Sequence, residues 1–198
     1  MMKKSLIVNL GLVMSIFLLS DPAFTQGDPS QRKSPMSIAR ITLGDAYLRV
    51  VYSRPYKRDR TNIFGTKESE ALVPYGEVWR TGANEATEIT VTRDVMVGDK
   101  KLPAGTYSLF TVPGPDKWTV HFNSALGLSG TMRFNEATNK FEPGYSPAND
   151  VVVHTAVPKK LDAEVDPFTI AFERVEGGAH MILKWITTEV RVPIKLAQ

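Results

Sequence analysis

The sequence predicts an all-β fold: an antiparallel sandwich or barrel of about ten short strands with one long ordered loop excursion. Three observations predict it. From residue 37 onward the apolar residues mostly recur with period two, and no window of twelve or more residues carries a convincing 3.6-residue period. Glycine-containing turn pairs stand between the alternating runs. Thirteen prolines and fourteen glycines punctuate the chain, with no internal repeat, heptad or strand–helix alternation.

Taken in order, Ile38, Arg40 and Thr42 alternate with Ala39, Ile41 and Leu43 to make the first strand. Gly44-Asp45 turns the chain into residues 46–52, where Leu48, Val50 and Tyr52 share a face; a Gly-Asp pair between alternating runs is a hairpin signal. Ile89 and Val91 mark a strand over 87–92. Residues 95–97 and 100–102 flank a second such pair, Gly98-Asp99, and predict another hairpin. A strand over 106–112 follows Pro103-Ala104-Gly105. Trp118, Val120 and Phe122 share one face of the next strand, and Trp185 shares one with Met181 and Leu183. Both indoles are therefore expected in the core. Further strands are expected over 131–134, 151–157, 168–173, 180–185 and 190–196. A mixed α+β fold with one short helix near 76–86 is the alternative, disfavoured by Gly82.

Residues 53–86 break the alternation. They hold Gly65, Gly76, Gly82, Pro55 and Pro74, and loops of this length in compact domains are usually functional or disordered. Tyr56, Ile63, Phe64, Leu72, Val73, Tyr75, Val78 and Trp79 supply apolar anchors, so the segment is expected to be ordered and to fold back over one end of the sandwich.

The N-terminal residues have the order of a secretory signal peptide. Lys3 and Lys4 precede an apolar run of about fifteen residues, and Pro22 and Ala23-Phe24-Thr25 follow it. The run is shorter than the ~20 residues that span a bilayer. The expected organisation is a signal peptide over 1–25, a flexible polar leader over 26–36 and a single β-rich domain over 37–198. N-terminal sequencing of the exported form should then begin at Gln26. The expected location is the periplasm or the exterior, with no stable membrane insertion after cleavage. The net charge of +3 falls to +2 on cleavage, too small for a general nucleic-acid binder. The absence of cysteine excludes disulfides, a thiol nucleophile, a Cys-ligated zinc, an iron–sulfur cluster and lipid attachment.

Polar chemistry concentrates in Val78-Trp79-Arg80-Thr81-Gly82-Ala83-Asn84-Glu85-Ala86-Thr87. The candidate ligand-binding residues are Arg54, Tyr75, Trp79, Arg80, Asn84 and Glu85. Two guanidinium groups match a carboxylate, sulfate or phosphate. Trp79 or Tyr75 suits stacking on a flat ligand, and Glu85 suits a base or a sugar-hydroxyl acceptor. The competing structural reading pairs Arg with Glu and with loop carbonyls to hold the excursion shut. The Asn84-Glu85 pair, with Glu77 as a second carboxylate, is too weak a signal for a glycosidase. The basic run Arg54-Pro55-Tyr56-Lys57-Arg58-Asp59-Arg60 reads first as a solvated loop balanced by Glu68 and Glu70. His121, His154 and His180 fall on three different strands without ligand spacing, so no metal is expected. No Gly-x-Ser-x-Gly, phosphate-loop or dinucleotide fingerprint is present, so no cofactor is expected.

The runs Ser53-Arg54-Pro55, Ile63-Phe64-Gly65, Leu72 through Thr87, and Leu102-Pro103-Ala104-Gly105-Thr106-Tyr107-Ser108-Leu109-Phe110-Thr111 occur in that order. On these residues the chain resembles a family of exported bacterial proteins, common in Bacteroidetes-like organisms, classed as a domain of unknown function. The likeness extends over roughly residues 36–196 and is weaker over 126–149. It implies export and a β-rich fold. It implies no activity, so it carries over no catalytic residue.

Three functions fit these features. The first is a non-enzymatic exported binding or accessory module that uses residues 53–86 to engage a polar or anionic small molecule or saccharide. The second is a small hydrolase or isomerase with Glu85 as base and Arg80 stabilising negative charge. The third is a structural envelope protein in which the Arg/Glu cluster locks the loop.

Overall fold

The computed structural model describes residues 31–197; the expected signal peptide and residues 26–30 of the expected leader lie outside them. In chain order the strands are β1 (Met36–Leu43), β2 (Ala46–Ser53), β3 (Phe64–Gly65), β4 (Val73–Pro74), β5 (Thr87–Val91), β6 (Val95–Val97) and β7 (Lys100–Leu102). They continue with β8 (Gly105–Val112), β9 (Trp118–Asn123), β10 (Met132–Asn135), β11 (Lys140–Pro143), β12 (Asp150–Ala156), β13 (Lys159–Val175) and β14 (Gly178–Leu196). A 3-10 turn spans Pro147–Asn149, and the described residues contain no α-helix. The short helix near 76–86 does not form.

Of the two expected all-β arrangements, sandwich or barrel, the chain builds the sandwich. A six-stranded antiparallel sheet runs β1-β2-β5-β8-β9-β12, and a four-stranded sheet runs β13-β14-β6-β7. The sheets are not closed into a barrel among the described residues. Period-two patterning decides the faces. In β5 Thr87, Ile89 and Val91 are buried while Glu88 and Thr90 are not, and in β9 Trp118, Val120 and Phe122 point inward. The main core takes Leu48, Val50, Ile89, Leu109 and Phe122 from the larger sheet and Met181, Leu183, Trp185 and Val192 from the smaller one. Both expected core indoles are there, Trp118 and Trp185 being almost wholly buried.

Strand β8 departs from alternation because it is covered on both sides. Its outward Ser108 and Phe110 are fully buried. Phe110 joins a second small cluster with Ala86, Ala125 and Leu128. The end of the excursion and the segment after β9 are thus clamped onto the outer face of the large sheet.

The C-terminal hairpin is longer than its period-two runs suggest. β13 and β14 pair from Lys159↔Glu189 to Val175↔Gly178, with register shifts between Lys160 and Val165 and again between Val165 and Thr169. Residues 159–167 are largely exposed and charged, so they carry no apolar period and their strand character comes from pairing with β14. β11 was unpredicted for the same reason, all four of its residues being exposed.

Candidate functional site

The excursion between β2 and β5 is ordered and pinned at both ends. At its start, Phe168 N donates to Pro55 O (2.9 Å) and Tyr52 OH exchanges hydrogen bonds with the backbone of Ile170. Lys57 N donates to Asp166 Oδ1, the same oxygen that accepts from Trp185 Nε1. In its middle, β3 and β4 form a two-residue parallel bridge. At its end, Trp79 bridges Thr111 on β8 and Ala86 N donates to Leu128 O. The chain between closes on itself: Thr87 N donates to Arg80 O, and Thr87 Oγ1 donates to Thr81 O. Thr81 and Asn84 take positive φ, 53° and 58°. Gly82 is required by contact, since a Cβ there would stand 2.9 Å from Ser53 O.

This geometry sorts the six candidate residues. Trp79 is core. It is 9% exposed, stacks on Trp185 (centroids 5.9 Å, interplanar 17°) and makes edge contacts with Phe64, Trp118 and Phe168. Its Nε1 donates to Gly82 O (3.0 Å). Arg54 is a tie to β13: Nε donates to Phe168 O (3.0 Å) and Nη2 to Thr169 Oγ1 (2.7 Å). Asn84 holds the N-terminal segment, its Nδ2 donating to Ser34 O (3.2 Å) while its carbonyl accepts from Gly130 N. Glu85 receives Arg32 Nη1 on both carboxylate oxygens, each at 2.7 Å, with side chains 41% and 18% exposed respectively. Tyr75 is half-buried and donates its backbone N–H to Gly65 O.

Arg80 is the exception. It is half-buried, its Nε has no acceptor, and no carboxylate pairs with it among the described residues. Burial, with no opposing charge, holds its guanidinium below the ordinary arginine value. That value is so high that the group stays cationic at neutral pH. Gly130 backs it closely: a Cβ there would lie 2.8 Å from Arg80 Nη1, and Gly130 has φ +68°.

Arg80 lines a cleft of about 460 Å³ between the N-terminal segment, both ends of the excursion and Thr131. Trp79 and Trp185 reach its wall, with Tyr56, Leu72, Pro74 and Val78 among the other residues of its apolar side. Lys33, Arg58 and Arg60 line it as well, all three exposed, and Glu77 is its one acidic residue. Part of the basic run expected to be a solvated loop therefore borders a cavity. Lys57 is balanced by Glu164 (2.9 Å) across the sandwich. Arg58 Nη2 donates to Lys33 O (2.8 Å), and Arg54 N to Pro35 O. Lys33 and Ser34, expected as flexible leader, thus line one wall of the cleft. Nothing in the sequence signalled Lys33, because its role depends on long-range contacts of Arg32 and Ser34.

The three histidines occupy separate places. His121 Nδ1 lies 2.8 Å from Asp150 Oδ2 and Nε2 lies 2.9 Å from Thr119 Oγ1. Asp150 also accepts from Asn123 Nδ2 (2.7 Å) and Tyr145 OH (3.4 Å). Burial and the Asp150 charge push the Tyr145 phenol up to about 12. The cluster fastens β9 to β12 and to the segment entering it, away from the cleft. His154 packs against Gly98, and burial pushes its imidazole down. His180 Nδ1 is buried without a partner. Among the described residues no group of three His, Cys, Asp or Glu side chains is placed to hold a metal.

A family model described as "Protein of unknown function (DUF2911)" matches residues 34–194, from just before β1 to near the end of β14. Comparisons with curated proteins and with solved structures returned no match.

Proposed function

We propose a ligand-binding role for this chain, which belongs to the DUF2911 family of proteins of unknown function: an exported module that takes an anionic ligand into the cleft over Arg80. The observation that carries this reading is the Arg80 guanidinium, half-buried in a cleft wall with an unsatisfied Nε and no paired carboxylate. An unmet charged donor is costly in a folded chain, and an acceptor that meets the guanidinium from the cleft offsets part of that cost. Arg58, Arg60 and Lys33 add positive potential at the same opening. Export is supported by the order of charged, apolar and small residues over 1–25.

Of the six candidate residues, Arg80 makes the anion contact and Trp79 supports the wall. Arg54, Asn84 and Glu85 are occupied by contacts within the chain, and that occupation favours a structural role for them. Catalysis by Glu85 with Arg80 has less support, because Glu85 is held by Arg32 and does not line the cleft.

The test is thermal unfolding with sulfate, phosphate, acetate and acidic saccharides at constant ionic strength. A ligand that binds only the native state raises the midpoint. At least one anion is expected to do so in the wild type and to lose the effect in Arg80→Gln. No stabilisation by any of them, or equal stabilisation of Arg80→Gln, would leave the purely structural reading.

A further inference from the structure

We infer that the cleft selects an amphipathic organic anion: a compact carboxylate, sulfate or phosphate head carried on a flat or branched apolar body. This rests on the anion-binding reading above and narrows its ligand class.

Donor and acceptor chemistry supplies the first argument. The charged lining is four cations against one carboxylate. Arginine and lysine side chains donate hydrogen bonds and accept none. A neutral saccharide needs acceptors for its hydroxyl protons as well as donors. Glu77 is the one charged acceptor of the lining, joined by the hydroxyls of Ser34, Tyr56 and Thr131. A lining so rich in donors matches a head group that only accepts.

The apolar side supplies the second argument. Tyr56 and Leu72 are 38% and 44% exposed and both face this one cleft, where Pro74 and the Trp79 indole continue the same wall. An inorganic anion on Arg80 would leave that wall in water. A ligand whose body lies along it removes apolar surface from water while its head meets the guanidinium, the usual composition of small-molecule sites. A volume of about 460 Å³ leaves room for a two-ring body and its head group.

The experiment compares three probes on the full mature protein: sulfate, 2-naphthalenesulfonate and uncharged 2-naphthalenemethanol. Calorimetry gives affinity, and tryptophan fluorescence reports position, because Trp79 and Trp185 line the cleft. Burying on the order of 80 Å² of ring predicts naphthalenesulfonate binding about 30-fold tighter than sulfate. Arg80→Gln should weaken naphthalenesulfonate about tenfold or more and leave naphthalenemethanol unchanged. Leu72→Ser and Tyr56→Ser, both at exposed positions, should weaken naphthalenesulfonate several-fold and leave sulfate unchanged. Sulfate binding as tightly as naphthalenesulfonate, both through Arg80, would overturn this inference and keep the anion-binding reading. Naphthalenesulfonate binding Arg80→Gln as tightly as the wild type would place it on another apolar surface, such as the exposed Phe134–Phe141 pair, and would overturn the inference. Binding of none of the probes would remove both readings.

Discussion

Arg54 and Arg80 stand near opposite ends of the same excursion, and the fold treats them in opposite ways. Arg54 lies over β13, where a carbonyl at 3.0 Å and a hydroxyl at 2.7 Å meet its donors. Arg80 turns toward a cleft with its Nε unmet and Gly130 close against its Nη1. One guanidinium stabilises the loop. The other supplies no such tie: its Nε has no acceptor among the described residues. Residue type alone does not make a site; a charged group left unsatisfied beside a cavity is the more informative sign.

The largest effect separates a surface lid from an extension of the core. Trp79 joins the excursion to Trp118, Phe168 and Trp185, so Trp79→Ala should cost about 3–5 kcal/mol in urea unfolding. A loss below ~1 kcal/mol would show that the excursion is a detachable flap.

Next comes the contrast itself. Arg54→Met removes two hydrogen bonds and leaves Phe168 O without that donor, and should cost about 2 kcal/mol. Arg80→Met removes a charge that no carboxylate pairs with among the described residues, and without ligand should fall within about 0.5 kcal/mol of wild type or above it. Equal losses in the two variants would break the comparison.

The smallest effect sharpens it with a charge that is both buried and fully partnered. Glu189, 3% exposed, receives Arg191 Nε at 2.6 Å and Lys184 Nζ at 3.0 Å. Burial alone would raise its carboxyl, but the hydrogen bonds from Arg191 and Lys184 outweigh it and hold the group below the ordinary carboxylate range. A carboxylate with a depressed folded value contributes stability above its unfolded value, about 4.3, and loses it as pH falls through the folded one. The urea midpoint of wild type should therefore exceed that of Glu189→Gln most clearly at pH 6–7. The gap should narrow as pH drops below about 4. A gap independent of pH would show that the pair adds no net charge stabilisation.

Much of the fold was legible before any coordinates. The hairpins at Gly44-Asp45 and Gly98-Asp99 form where the turn pairs predicted them, because a tight turn and its flanking alternation are neighbours in sequence. The first half of β13 and all of β11 were not legible, since exposed polar strands carry no apolar period. The candidate site was legible as a region but not residue by residue. Trp79, offered with Tyr75 for stacking on a ligand, packs in the core and also reaches the cleft wall, while Lys33, Leu72 and Thr131 were not candidates at all and line the cleft.

By itself, then, the sequence determined an all-β fold of sandwich or barrel type, its faces, two of its three core indoles and the segment where polar chemistry gathers. Each of these follows from period, turn chemistry and hydrophobicity, which act between near neighbours. Only the tertiary structure decided which charged groups are satisfied. Arg54 finds its acceptors 114 and 115 residues along the chain, and Glu85 finds Arg32 at 53. Arg80 Nε finds none among the described residues. Two identical guanidinium groups differ only in what the fold brings within about 3 Å of them, and no local pattern carries that distance.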